Sequence, residues 1–402
     1  MPQVYAGDCR EVMDGLPASS YTAIVCDPPY GLSFMGRAWD FQVPGPDYWR
    51  KACRVLKPGG LLFAFGGTRT FHHLTAAIEK AGLELADTIC WLYGSGFPKG
   101  HNISHAIDAH LGHERPVVGT KVGSSPGQAT SFQSGCQSAK NDGREYDVTG
   151  PASPEAAAWE GMNTALKPAW EPILVARKPL DGTFATNALK HGCGGMNIGN
   201  TRIGDEEITT HGPAASHVTF KGYAGPVNPV RVLHHRPGFE GNTHTGRWPP
   251  NVVLDEESAR QLDEQHPSAD GLPYSRFFYC GKASATERDK GLTTPHRQAG
   301  ALSCSIDGSL GGHAPTQDRR NHHPTVKPIA VMKYCCSLAR MPGDDATRIL
   351  DPFCGSGSTL VAAALMGLHA DGIETDPDFV TLATQRQADA LARGAYKQEA
   401  LF

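Results

Sequence analysis

Between Arg348 and Glu374 the chain runs through a strand, a glycine loop, a helix, a second strand and an acidic residue, and few folds accommodate that succession. Arg348-Ile-Leu350 is a short apolar strand, Asp351-Pro-Phe-Cys-Gly-Ser-Gly-Ser-Thr359 the loop, Thr359 to Met366 a helix and Ala370-Asp-Gly-Ile373 the next strand. In α/β sheets this layout holds an adenosine-bearing ligand, with glycines that let backbone approach it and an acidic residue that accepts the ribose hydroxyls. Gly355, Gly357 and Glu374 are placed for those tasks. The G-x-x-x-x-G-K-[ST] phosphate loop is absent, which argues against a nucleoside triphosphate. Leu360 stands where a dinucleotide fingerprint needs a third small residue, which argues against a pyrophosphate. An adenosyl ligand without a pyrophosphate remains, and S-adenosylmethionine meets that description.

The rest of the chain repeats the strand–helix alternation. Val4-Tyr-Ala6 reads as a strand and Cys9 to Leu16 as a helix, and Tyr21 to Cys26 as a second strand that stops at Asp27-Pro-Pro-Tyr30. Proline fixes φ and disfavours helix in the residue before it, so Asp27 is held extended at the carboxyl end of its strand. A carboxylate, a prolyl carbonyl and an aromatic ring on that stiff support suit a flat, amine-bearing heterocycle. Helices over Asp47–Leu56 and Phe71–Ala81 and strands over Leu61–Phe65, Leu83–Tyr93 and Trp170–Ala176 complete the pattern, with a helix at Ile329–Arg340 and a long one at Asp376–Arg393. The expected fold class is therefore α/β, with a parallel sheet covered by helices.

Two stretches break the alternation. Gly119 to about Ala157 is rich in Gly, Ser, Gln and Pro without periodicity and reads as a mobile loop. Asp181 to about His322 is irregular, Gly- and His-rich, and reads as an inserted second domain. Acidic and basic residues nearly balance, at a formal net charge of -4, so any nucleic-acid contact must come from local patches. The 11 cysteines include no C-x-x-C pair and lie largely in apolar stretches, which fits buried free thiols in a reducing compartment and a cytoplasmic protein. His322-His323 has no third partner at ligand spacing, so no metal is expected, and no signal peptide or apolar run long enough for a membrane is found.

Three motifs taken together resemble a known family. Asp-Pro-Pro-Tyr (27–30), His-Pro-Thr-Val-Lys-Pro (323–328) and Asp-Pro-Phe-Cys-Gly-Ser-Gly-Ser-Thr (351–359) are similar to those of the DNA amino-methyltransferases, which methylate adenine N6 or cytosine N4. The catalytic tetrapeptide precedes a variable region and then the cofactor loop, the order of the β class. Trp91-Leu-Tyr-Gly-Ser-Gly-Phe-Pro-Lys99 and Leu166-Lys-Pro-Ala-Trp-Glu-Pro-Ile173 resemble phage and prophage members in particular. The resemblance implies a circularly permuted, Rossmann-like S-adenosylmethionine-dependent methyltransferase sheet with an inserted, loop-rich target-recognition region. It divides the chain into a catalytic part (1–110), a mobile loop (111–160), a returning strand (161–180), the insert (181–321) and a cofactor-binding part (322–402).

The family also implies roles. Asp27 and the carbonyl of Pro28 would accept hydrogen bonds from the target amine, with Pro29 stiffening the loop and Tyr30 stacking on an extruded base. Phe353, Gly355 and Gly357 would lie along S-adenosylmethionine, in the loop that Asp351 opens, while Glu374 held its ribose. Asp8 would meet its adenine amine, and Thr325 and Lys327 would reach its methionine end. The implied partner is double-stranded DNA, with a homodimer allowed and no membrane. An Asp at the first motif position resembles the adenine members more than the cytosine ones. Two rivals are a methyltransferase for protein or RNA amines and a DNA-binding module without turnover. The permuted order and long insert argue against the first, and the intact Asp27, Tyr30 and Gly355 against the second.

Overall fold

The computed structural model describes residues 2–32, 40–94, 100–122, 145–210, 242–265, 273–281, 289–292, 297–299, 317–321, 323, 326–343 and 346–394. Its strands are β1 (Val4–Ala6), β2 (Tyr21–Cys26), β3 (Leu56–Phe65), β4 (Glu84–Leu92), β5 (Val117–Val122), β6 (Glu145–Thr149), β7 (Trp170–Arg177), β8 (Ile203–Thr210), β9 (Asn242–Arg247), β10 (Val252–Asp255), β11 (Tyr279–Gly281), β12 (Arg297–Ala299), β13 (Gln317–Arg319), β14 (Arg348–Asp351) and β15 (His369–Glu374). The helices are α1 (Cys9–Gly15), α2 (Pro46–Val55), α3 (Phe71–Lys80), α4 (Ile103–Leu111), α5 (Pro154–Ala158), α6 (Phe184–His191), α7 (Glu256–Gln265), α8 (Ile329–Leu338), α9 (Ser358–Leu365) and α10 (Pro377–Gly394).

Nine strands form one sheet in the order β1-β15-β14-β2-β3-β7-β4-β10-β11. The sequence reads as a parallel sheet, and β7 departs from it, pairing antiparallel with both β3 and β4. A strand buried on both faces is a continuous apolar run in either direction, so composition carries no direction signal here. Helices cover both faces. Alternate residues of β2 serve opposite sides: Ala23 and Val25 join the core under α8, α9 and α10, while Ile24 and Cys26 join the core under α1, α2 and α3. That period of two makes β2, with all six residues buried, the middle of the molecule.

The two ends of the described chain meet in this sheet. β1 pairs with β15, register Ala6 to Glu374, and β14 pairs with β2, register Leu350 to Ile24. The chain moves outward from β14 to β15, with β1 beyond it, and on the other side from β2 to β3. The join between β14 and β2 is thus a topological switch point, and open α/β sheets bind ligands outside the carboxyl ends of their strands at such a point.

Both irregular stretches contain regular elements. Within 111–160, the span read as a mobile loop, β5 and β6 form an antiparallel pair and α5 follows, capped by the Ser153 hydroxyl; residues 123–144 lie outside the described residues. Within 181–321, the span read as a separate insert, β10 and β11 extend the central sheet from β4. The α6 residue Asn187 is buried and donates to Pro58 O at 3.0 Å and Cys193 O at 2.8 Å, which fastens this segment to β3. Asn251-Val-Val-Leu254 and Phe277-Phe-Tyr279 do read as strand-like pieces in the sequence, but strands of three or four residues carry too little pattern to show that they join the central sheet. The eight cysteines described with their side chains are all unpaired.

Candidate active site

One edge of the sheet gathers the chemistry. The carboxyl ends of β1, β15, β14, β2 and β3 lie along it, and because β7 runs the other way its amino end, Trp170-Glu171, lies there too. From left to right this edge carries Asp8, Glu374, Asp351, Asp27, the Phe65-Gly-Gly67 turn and Glu171.

The tetrapeptide after β2 is held from behind. Asp40, buried, accepts the backbone N–H groups of Tyr30 at 2.7 Å, Gly31 at 2.9 Å and Leu32 at 3.2 Å. Thr70 donates its hydroxyl to Tyr30 O at 2.6 Å. Gly31 has φ of +67°, and a Cβ there would stand 2.9 Å from Val43 N, so only glycine lets the chain turn back at this point. Three amides on one carboxylate leave the Asp27-Pro-Pro-Tyr30 backbone little freedom.

Its side chains enter a polar cluster. The Tyr30 hydroxyl lies 2.8 Å from Asp27 Oδ1 and 3.0 Å from Glu171 Oε2. Lys327 Nζ stands 2.9 Å from Asp27 Oδ2 and 3.4 Å from Glu171 Oε2, and 5.1 Å from the centre of the Tyr30 ring. Lys327 and Glu171 are both buried, whereas the Asp27 side chain keeps 17% of its surface open. Burial pushes the Glu171 carboxyl up, and the Lys327 ammonium opposes that push without cancelling it. Burial works against the charge on Lys327, yet Asp27 and Glu171 outweigh it and hold the ammonium above its ordinary value. Burial and then the Asp27 charge push the Tyr30 phenol well up, so it stays protonated.

The glycine loop after β14 forms the other half. Asp351 is buried at its base, accepting Phe353 N–H at 3.0 Å and the Thr359 hydroxyl. Glu374 Oε2 accepts Gly355 N–H at 2.9 Å, and Oε1 accepts the N–H groups of Thr375 at 2.8 Å and Asp376 at 2.9 Å. Close approach to a ligand is the role expected of the glycines, and their own surroundings add a second constraint. A Cβ on Gly355, whose φ is +51°, would meet His323 Nε2 at 2.6 Å, and one on Gly357, φ +82°, would meet Ala383 Cα at 3.1 Å. The chain's own atoms fill the space that a side chain would need. His323 in turn stacks edge-on against Phe379 at 4.4 Å between ring centres.

Burial pushes the Asp351 carboxyl up to about 7, from an ordinary 3.8. The folded state then holds a proton that the unfolded chain has released, so stability falls as pH rises from 3.8 to about 7. Asp351→Asn has no proton to release. Relative to wild type it is expected to gain about 3 kcal/mol of unfolding free energy between pH 5 and pH 8. Urea titrations at the two pH values test this, and a constant difference between the two proteins would refute it.

The structure brings most of the expected residues to one edge and shows what each touches there. Asp8 caps α1, accepting Arg10 N–H at 2.8 Å, and pairs with the Arg10 guanidinium at 2.7 Å, which lowers its carboxyl below the usual range. Lys327, expected at the cofactor's methionine end, is held by Asp27 and Glu171 because a buried ammonium takes the nearest carboxylates. Phe353 packs against Tyr48 and Trp49, each at 6.1 Å between ring centres. Thr325 lies outside the described residues. Sequence reasoning missed Asp40 and Glu171. For Glu171 a signal existed, since a lone carboxylate interrupts the apolar run of β7. Asp40 offered none, standing ten residues beyond the tyrosine it supports.

A family model matches most of the chain. The N6/N4 methyltransferase family, described as DNA methylase, matches residues 21–385. The Type II methyltransferase M2.MboI of Moraxella bovis is 32% identical over 93 residues, 23% of this chain and 32% of that protein, so the match spans about a third of the relative. Among solved structures, PvuII DNA methyltransferase (cytosine-N4-specific) aligns with 97% of this chain and 91% of its own at 12% identity, TM-score 0.41. The M1.HpyAVI–SAM complex aligns with 96% of this chain and 98% of its own at 14% identity, TM-score 0.38.

Proposed function

This chain belongs to the N6/N4 DNA methylase family, and on that premise we propose that it transfers a methyl group from S-adenosylmethionine to the exocyclic amine of a base in double-stranded DNA, adenine N6 in preference and cytosine N4 as the second reading. The observation that carries the proposal is the meeting of Asp27 and the Asp351–Gly357 loop on adjacent strands at the switch point.

The residues present fit the methyl donor. Among the described residues Glu374 Oε2 takes a single donor, Gly355 N–H, which leaves it a lone pair for a ribose hydroxyl. Lys327 has three N–H donors, so it can serve Asp27, Glu171 and a third acceptor such as the donor's carboxylate. S-adenosylmethionine supplies an electrophilic methyl group on a cationic sulfur, so the protein's contribution is placement.

An exocyclic amine is a poor nucleophile because its lone pair is delocalised into the ring. The partly exposed edge of Asp27 and the carbonyl of Pro28 accept its two N–H groups and turn the lone pair towards the methyl carbon. The amine is inaccessible inside a duplex, and extruding the base costs a few kcal/mol. Stacking on the Tyr30 ring returns about 1–3 kcal/mol of that. The preference for adenine rests on Asp27 resembling the adenine members; Asp accepts the same bond from either amine.

Incubating the protein with methyl-labelled S-adenosylmethionine and genomic DNA, then separating nucleosides, tests the reading. Label is expected in N6-methyladenine. Label in N4-methylcytosine selects the second reading, and unlabelled DNA sinks both.

A further inference from the structure

Glu171 is a carboxylate in an apolar layer. Along β7 it shares its face with Ile173 and Val175, and the residue opposite it on β4 is Trp91. Its side chain is 4% exposed. Oε2 receives the Tyr30 hydroxyl and Lys327, but Oε1 is buried without a hydrogen-bond partner among the described residues. Orphaning such an oxygen is costly, and placing a carboxylate here at all needs a reason.

The Tyr30 hydroxyl supplies one. It has a single proton and lies within hydrogen-bond distance of two carboxylates, 2.8 Å from Asp27 and 3.0 Å from Glu171. Both contacts are satisfied at once only when one carboxyl carries a proton of its own. Methyl transfer generates one proton, because the amine nitrogen becomes cationic as it gains the methyl group.

Resting on the functional reading above, we propose that Glu171 is a positioning residue that receives this proton, passed from Asp27 through the Tyr30 hydroxyl. The amine lone pair forms the N–CH3 bond while the C–S bond of the donor breaks and its electron pair goes to sulfur. The methylated amine gives an N–H proton to Asp27. Asp27 passes a proton to the Tyr30 oxygen as Tyr30 gives its own to Glu171 Oε2, so the phenol ends unchanged. When product leaves, the proton returns along the same path to water. The groups facing Glu171 are Asp27 and Tyr30 from the loop after β2, Lys327 from the loop before α8, and Tyr93 after β4, whose phenol is pushed up by burial and then by the Glu171 charge. The Lys327 ammonium between the two carboxylates opposes the upward push that burial gives the Glu171 carboxyl.

Glu171→Gln keeps the shape and cannot take a proton. In single-turnover assays on the full chain with labelled S-adenosylmethionine and duplex DNA, the transfer rate is expected to fall about 100-fold. KM for both substrates should stay within about threefold, as the change touches neither. The wild-type rate should also fall on the acid side at a pH above that of an ordinary glutamate, and this limb should vanish in the variant. Tyr30→Phe keeps the ring and breaks the path in its middle, so it should lose the same limb. A Glu171→Gln enzyme with the wild-type rate and acid limb overturns the inference while leaving the methyltransferase reading intact. Should that variant not fold, an unchanged acid limb in Tyr30→Phe overturns the inference equally. A wild-type protein that labels no DNA removes the reading and the inference together.

Discussion

Asp27→Ala is expected to slow methyl transfer about 10²–10³-fold while S-adenosylmethionine binds within about threefold of wild type. The asymmetry follows from position. Asp27 ends β2 and presents the only partly exposed carboxylate edge of the cluster it forms with Tyr30, Glu171 and Lys327, whereas the glycine loop and Glu374 end β14 and β15. Removing it takes away the acceptor that orients the amine. The fold should survive, because Lys327 retains Glu171 at 3.4 Å and Tyr30 retains it at 3.0 Å. Isothermal titration with S-adenosylmethionine measures the first quantity and single-turnover assays the second. Turnover within about threefold of wild type would remove Asp27 from the mechanism.

The largest effect on stability is expected at Lys327. Lys327→Met fills much the same volume but leaves Asp27 and Glu171 facing each other without the cation between them. Breaking a buried charge pair by removing one partner typically costs 3–5 kcal/mol, and about that loss is expected at pH 7.5. Acid should repair it. With the ammonium gone the folded state holds a proton on Glu171 more tightly than the unfolded chain does, so the deficit shrinks as pH falls towards the ordinary glutamate value. The wild type loses stability with rising pH in the same sense, but in a far higher window. Its lysine is raised in the fold, so the contribution is complete below the ordinary lysine value and is lost only as pH climbs through the raised one. Denaturant midpoints at pH 5 and pH 7.5 decide, and a variant as stable as wild type at pH 7.5 would show that the cluster does not depend on its cation.

Much of the fold was legible because long apolar runs and glycine stops are local signals. β2, β3, β14 and β15 and the helices α2, α3, α8, α9 and α10 stand within a few residues of where the sequence puts them. What was not legible depends on partners remote in sequence. The reversed direction of β7 is invisible in Trp170–Arg177 itself, and so was its result: reversal brings Glu171, at the strand's first turn of chain, to the catalytic edge. Pairing of β5 with β6 bridges more than twenty residues of low-complexity sequence. The site showed the same division. Asp27, Tyr30, Asp351 and Glu374 carry motifs, whereas the position of Lys327 between two carboxylates could be found only in three dimensions.

The seam between β14 and β2 also sets a timetable. β2 is a wholly buried strand whose left-hand neighbour is not made until more than three hundred further residues have been added. At about 5–20 residues per second, synthesis of that interval takes roughly 15–60 s. Once β11 has been made, late in that interval, a nascent chain carries the strands of its right-hand half and an open, apolar strand edge on its left, the kind of surface that recruits stray strands. Loop closure of that length also makes the seam a late event in folding. The two halves of this edge therefore come into being as separate objects, and the last quarter of the chain completes the site between them.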